Sequence, residues 1–178
     1  MTGKPHEVDA AWVRTAVERH QGPLTIYAAR LLGDAEAARD VVQETFLRLC
    51  SQPKDQLDGR LAEWLFTVCR NRALDVLRKE KRMSQLGDNQ AGNRVSHDPG
   101  PTEVVERRES TARVLELLDA LPPGQREVIR LKFQNGFSYQ EISRISGYSV
   151  GNVGYLIHVG LKTIRGQIAD GPTAPARA

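Results

Sequence analysis

Asn152, Tyr155, His158, Lys162 and Arg165 have the types and spacing for a definite chemistry, hydrogen bonding to base edges and phosphates of duplex nucleic acid, and Ser138, Glu141, Gly147 and Ser149 before them have those of helix caps and a helix stop. The stretch FSYQEISRISGYSVGNVGYLIHVGLKTIR holds them all. Ser138-Tyr139-Gln140-Glu141 is a capping box, in which a Ser hydroxyl and a Glu carboxylate satisfy orphan backbone donors reciprocally, so a helix should begin at Ser138. Ile142 and Ile145 supply its apolar stripe, Gly147 permits the left-handed backbone that ends it, and Ser149 can cap the next helix. In that second helix Val150, Val153, Ile157, Leu161 and Ile164 recur at helical spacing and predict one buried face. Gly151, Tyr155, His158, Lys162 and Arg165 fall opposite. A helix docked by its apolar stripe with such groups turned outward suits a major groove. The plainer alternative is a helical hairpin with a solvated outer face.

A second set of residues carries charge rather than shape. Residues 60–82 hold seven basic side chains (Arg60, Arg70, Arg72, Arg78, Lys79, Lys81 and Arg82) against Glu63, Asp75 and Glu80. Residues 34–49 reverse the sign, with Asp34, Glu36, Asp40 and Glu44 against Arg39 and Arg48. An acidic helix followed by a basic one suggests two surfaces with different partners, although each could be only a solvated face. Part of the basic clustering at a helix C-terminus also complements the helix dipole.

Composition narrows the classes. With 25 Lys+Arg against 22 Asp+Glu the net charge is only +3, so overall charge argues weakly for a polyanionic partner and its distribution matters more. The two cysteines, Cys50 and Cys69, make no CxxC or Cys/His cluster, so no metal site and no disulfide framework is indicated; both suit the core of a protein in a reducing compartment. The four histidines, His6, His20, His97 and His158, have no nucleophile or carboxylate constellation around them, and no phosphate-binding glycine loop is present. No catalytic residue and no cofactor is expected. The polar N-terminus and the lack of a long apolar run predict a soluble, cytoplasmic chain without membrane insertion.

The elements that must position these residues are helical throughout, predicting an all-α protein of two small domains joined by a flexible linker. A first block starts near Asp9, with Ala11, Trp12, Val13 and Val17 on its apolar face, and continues past Gly22-Pro23 into LTIYAARLLG. Gly33-Asp34 reads as a stop and a fresh cap, and Ala35 to Leu49 forms the acidic helix, with Ala38, Val41, Val42, Thr45, Phe46 and Leu49 buried. Ser51 to Gly59 reads as a loop. Arg60 to Arg82 is the basic helix, with Leu61, Trp64, Leu65, Val68 and Val76 packing inward. Residues 83–110 are rich in Gly, Pro and polar groups, too poor in apolar surface to offset ordering entropy, and read as a tether. Helical periodicity returns at Thr111 with Val114, Leu115, Leu118 and Leu121, stops at Pro122-Pro123-Gly124, and resumes over Gln125 to Phe133. The domains are thus 9–82 and 111–168, with a disordered tail at 171–178.

These residues together resemble the extracytoplasmic-function (ECF) group of the sigma-70 family, dissociable promoter-recognition subunits of bacterial RNA polymerase. GDAEAARDVVQETFLRLC is similar to regions 2.1 to 2.2, AEWLFTVCRNRALDVLRKEKR to regions 2.3 to 2.4, and LDALPPGQREVIRLKFQNGFSYQEISRISGYSVGNVGYLIHVGLKTIR to region 4. The resemblance implies a transcription initiation factor that catalyses no bond formation. Its D-x-x-Q-E-T-F pattern, Asp40, Gln43, Glu44 and Phe46, would dock on the β′ clamp helices of core RNA polymerase, although the spacing of Phe46 also fits the core. Arg70, Asn71, Arg72, Arg78, Lys79 and Arg82 would contact the minus-10 element of promoter DNA, with residues 51–59 forming a pocket for a flipped base. Trp64 invites a stacking role, but its place in WLF at core spacing favours burial. Gly151, Asn152, Tyr155, His158, Lys162 and Arg165 would contact the minus-35 duplex, while the second module meets the β flap. Gly154, Leu156 and Val159 stand where many relatives carry polar or basic residues, a departure that weakens phosphate attraction and would let Tyr155 and Leu156 bind a protein instead. The resemblance also implies a possible anti-sigma partner, and a tether that threads the polymerase or serves as a passive spacer. The competing class is a helix-turn-helix regulator that binds duplex DNA without entering the polymerase.

Overall fold

Asp9 opens the first helix by accepting a hydrogen bond from the Trp12 amide at 3.0 Å, and Gly33 closes it in the left-handed conformation at φ 75°, so a 23-residue helix α1 spans Ala10–Leu32. The computed structural model describes residues 9–86 and 105–169. Pro23 lies inside α1 without ending it; Gly22 and Pro23 are exposed, so the proline ring falls on the solvated side of an unbroken helix. Asp34 then caps α2 (Ala35–Leu49), its carboxylate accepting from the amides of Glu36 at 2.7 Å and Ala37 at 3.1 Å. The buried residues of α2 are Ala38, Val41, Val42, Thr45, Phe46 and Leu49, the stripe that periodicity predicts.

The segment after α2 corrects the sequence reading. Residues 51–59 are not all loop: a single turn of helix, α3 (Lys54–Leu57), buries Leu57, and Lys54 reaches back 3.1 Å to the Asp9 carboxylate. An apolar plug and an ion pair thus tether a stretch that its polarity marks as irregular.

Helix α4 (Leu61–Leu86) lies against both α1 and α2. Its deeply buried residues are Leu65, Phe66, Cys69 and Ala73, whereas Leu61, Trp64, Val68 and Val76 are only half-buried. The inward face is therefore turned by one position from the expected stripe, because Phe66 packs against Tyr27 of α1, with ring centroids 5.1 Å apart. Cys69 is fully enclosed there and Cys50 is half-buried.

The second unit starts with α5 (Val105–Asp119), followed by α6 (Pro123–Phe133), α7 (Tyr139–Ser146) and α8 (Val150–Ala169). Leu121, Val128, Ile129, Leu131, Phe137, Ile142, Ile145, Val153, Ile157 and Ile164 form its core. Val114, expected inward, is exposed. Asp119 at the end of α5 pairs with Arg130, a buried guanidinium on α6. The α6–α8 approach is close at Gly160, where an added Cβ would stand 2.6 Å from Ile129 Cδ1 and 3.3 Å from Leu121 Cδ1.

The described residues are helical and contain no strand, in agreement with an all-α class. Contacts divide the chain into two units, Met1–His97 and Asp98–Ala178. Helix α4 runs on to Leu86 and α5 begins at Val105, both inside the stretch 83–110 expected as a tether; 87–104 and the expected tail at 171–178 lie outside the described residues.

Candidate functional site

In the second unit the capping box forms as its spacing predicts. Glu141 Oε2 accepts from the Ser138 amide at 2.7 Å and the Glu141 amide donates to Ser138 Oγ at 3.3 Å. Hydrogen bonds from Ser138 hold the Glu141 carboxyl below its ordinary value. Gly147 ends α7 at φ 78°, and Ser149 Oγ accepts from the Asn152 amide at 3.2 Å to start α8. A second pair of bonds fixes the turn: Ser143 Oγ donates to the Tyr148 carbonyl at 2.6 Å, and Ser146 Oγ accepts from the Tyr148 amide at 3.3 Å. The result is a helix, a tight turn and a longer helix with α7 packed on α8.

Helix α8 presents the expected outer face. Gly151, Asn152, Tyr155, His158, Lys162 and Arg165 are all exposed, Tyr155 at 64%, while Val153, Ile157 and Ile164 are buried. Val150 departs from the sequence-based expectation: as the first residue of α8 it is 45% exposed. Tyr139 is a residue that the sequence marks only as part of a cap. Its ring lies over Gly154, which an added Cβ would bring to 3.5 Å, and Lys132 Nζ sits 5.5 Å above the ring centroid.

In the first unit α2 and α4 carry the acidic and basic candidates. Asp40 and Gln43 are exposed on α2. Glu44 is engaged within the unit, bound bidentately by Arg72: Arg72 Nη2 donates to Glu44 Oε1 at 2.9 Å and Arg72 Nε to Glu44 Oε2. The hydrogen bond from Arg72 pulls the Glu44 carboxyl below its ordinary range and raises the guanidinium in turn. Two residues expected to serve different partners therefore hold one another and fasten α2 to α4. Phe46 is 9% exposed, so its ring lies in the core rather than at a surface. The large apolar side chain that α2 does expose is Leu47, at 61%, which falls outside the apolar period and so escapes a periodicity argument.

Along α4, Asn71, Arg78 and Arg82 are exposed and separated by seven and four residues, which places them in one row. Arg72 and Lys79 form the neighbouring row. Arg70 is half-exposed and, with Lys81, flanks the Asn71 row on the side opposite Arg72 and Lys79. Asp75 sits among the basic groups and pairs with Arg78 at 2.9 Å, reducing the local charge that sequence counting assigns to the track. Trp64 is half-buried, intermediate between core and platform. Among the described residues no group of His, Cys, Asp and Glu could hold a metal ion, and no helix is long and apolar enough to cross a membrane.

Two helical units, one with an acidic and a basic helix and one with a helix-turn-helix, define a class that the comparisons identify. The sigma-70 region 2 family matches residues 16–83 and the sigma-70 region 4 family matches residues 111–164. The chain is 37% identical to the ECF RNA polymerase sigma factor EcfG of Rhodopseudomonas palustris over 73% of this chain and 70% of that protein. It is 34% identical to the ECF RNA polymerase sigma factor SigL of Mycobacterium tuberculosis over 88% of this chain and 89% of the other. The chain belongs to the ECF sigma factors of the sigma-70 family. A similar fold occurs in the sigma factor RpoE of Bartonella quintana, solved in complex with the anti-sigma factor NepR, with a TM-score of 0.71, 23% identity, and coverage of 89% of this chain and 98% of that one.

Proposed function

We propose that this chain binds core RNA polymerase through α2 of the first unit, engages the minus-10 element through α4, and reads the minus-35 duplex through α8, so directing promoter-specific initiation. It acts as a non-catalytic subunit: the bond-forming site belongs to the polymerase. The observation that carries this reading is the occurrence of the region 2 and region 4 matches, in that order, on two separate helical units. A helix-turn-helix regulator working apart from polymerase would account for α7 and α8 alone. It leaves the first unit without a use.

Within α2 the docking groups that remain available are Asp40 and Gln43, with Leu47 as an apolar neighbour, because Glu44 is committed to Arg72 and Phe46 to the core. On α4, Asn71, Arg78, Lys79 and Arg82 offer donors to the nucleic-acid backbone and to base edges. His158, Lys162 and Arg165 of α8 serve phosphates beyond the base-reading turns, and the second unit also meets the β flap. An anti-sigma factor is a further partner, supported by the similarity in fold to RpoE, which was solved with NepR.

Co-migration with core polymerase tests the docking assignment. The unaltered chain should elute with core enzyme, and Asp40→Lys combined with Gln43→Lys should weaken that association at least tenfold while leaving helicity unchanged. Undiminished co-migration of the double variant would remove α2 as the docking element.

A further inference from the structure

The first three turns of α8 contain no charged side chain: Lys162 is the first, twelve residues after Val150 and about 18 Å further along the axis. Bidentate pairing of Arg or Lys with guanine O6 and N7 is the commonest specific contact in a major groove, and this helix cannot make it where an inserted helix touches bases. What the end of α8 exposes instead is Asn152, Tyr155 and Val150, the last two at 64% and 45%. Asn suits adenine, accepting from N6 and donating to N7, and apolar side chains suit the thymine methyl group. Gly151 has nothing within 4 Å of its missing side chain, so the helix is thin at its first turn, whereas the space beside Gly154 is taken by the Tyr139 ring. A thin helix seats deeper in the groove and brings Asn152 and Tyr155 to the base edges.

Resting on the reading of α8 as the minus-35 helix, we propose that it selects an A·T-rich element, with Asn152 pairing to adenine and Tyr155 and Val150 packing on thymine methyls. Tyr139, with Lys132 over its ring, walls the flank of this surface at Gly154 and adds a further apolar contact. Specificity then comes from methyl groups and one amide rather than from guanidinium pairing, and affinity comes from the first unit, the polymerase and the phosphate contacts of the later turns of α8.

The test is in vitro transcription by the full chain with core enzyme on promoters whose upstream element is randomised, followed by replacement of thymine with uracil in the selected element. An A·T-rich selected element is expected, with transcription falling about fourfold when a methyl that the helix touches is removed. Tyr155→Ala should abolish sensitivity to that methyl, and Asn152→Ala should lower the preference for adenine about tenfold. Both side chains are exposed, so neither substitution removes core packing. Initiation from elements dominated by guanine, or uracil templates as active as thymine ones, overturns this inference and leaves the sigma-factor reading standing. Initiation indifferent to the upstream element, as recruitment through a protein contact would give, overturns it equally. No initiation on any template overturns the functional reading and this inference together.

Discussion

Arg72 shows how a single pairing separates two roles that composition merges. Six residues of α4 are candidates to contact DNA, yet Arg72 is bound bidentately to Glu44, and Arg78 shares Asp75. Both members of the Arg72–Glu44 pair are partly exposed, so its contribution to stability is about 0.5–1 kcal/mol after solvent screening. Arg72→Ala should therefore lower the thermal midpoint more than it lowers promoter affinity. The triple change of Arg78, Lys79 and Arg82 to Ala should leave stability within about 0.5 kcal/mol of unchanged and reduce promoter opening alone. Calorimetry beside an opening assay distinguishes the two; equal stability of both variants would deny Arg72 a strut role. The cysteines divide in the same way. Burial pushes the Cys69 thiol up to about 12, so it stays protonated and unreactive near neutral pH. Maleimide should label only Cys50 in the folded chain and both thiols in denaturant, and rapid native labelling of Cys69 would contradict its enclosure.

At the scale of elements, the capping box and the α6–α8 packing carry measurable stability. Glu141 is held below its ordinary value of 4.5, so the stabilisation it provides is complete above that value and is lost as pH falls through the lower folded value. Glu44 adds to the loss in the same window and direction. Unfolding followed from neutral pH down to about pH 3 should show the decline, and Ser138→Ala should cost about 1 kcal/mol at neutral pH and flatten it. Gly160→Ala should cost about 1–3 kcal/mol by driving a methyl against Ile129 and Leu121. Caps and stripes of this kind were legible in the sequence because they are local: Asp9, Asp34, Ser138, Gly147 and the α2 period all stand as spacing predicts. Tertiary choices were not. The inward rotation of α4 toward Phe66, the turn α3 held by Leu57 and Lys54, and the exposure of Val150 depend on which helix lies opposite. The Glu44–Arg72 pair joins residues 28 apart in sequence, and no periodicity signals it.

For the whole molecule, a net charge of only +3 means that DNA affinity must come from where the charge lies and from the polymerase that holds the chain. Removing one cation from a phosphate should reduce the slope of log affinity against log salt by about one, so the Arg78, Lys79 and Arg82 triple variant in holoenzyme should show a slope smaller by up to about three. An unchanged slope would take those side chains off the phosphates. The central claim is that this chain makes core polymerase open promoter DNA. Permanganate reactivity of thymines tests it most directly. With the chain and core enzyme together, thymines at the minus-10 element of a selected promoter should become reactive, and with either component alone they should not. Duplex that stays unreactive in the complete mixture on every promoter tried would contradict the account.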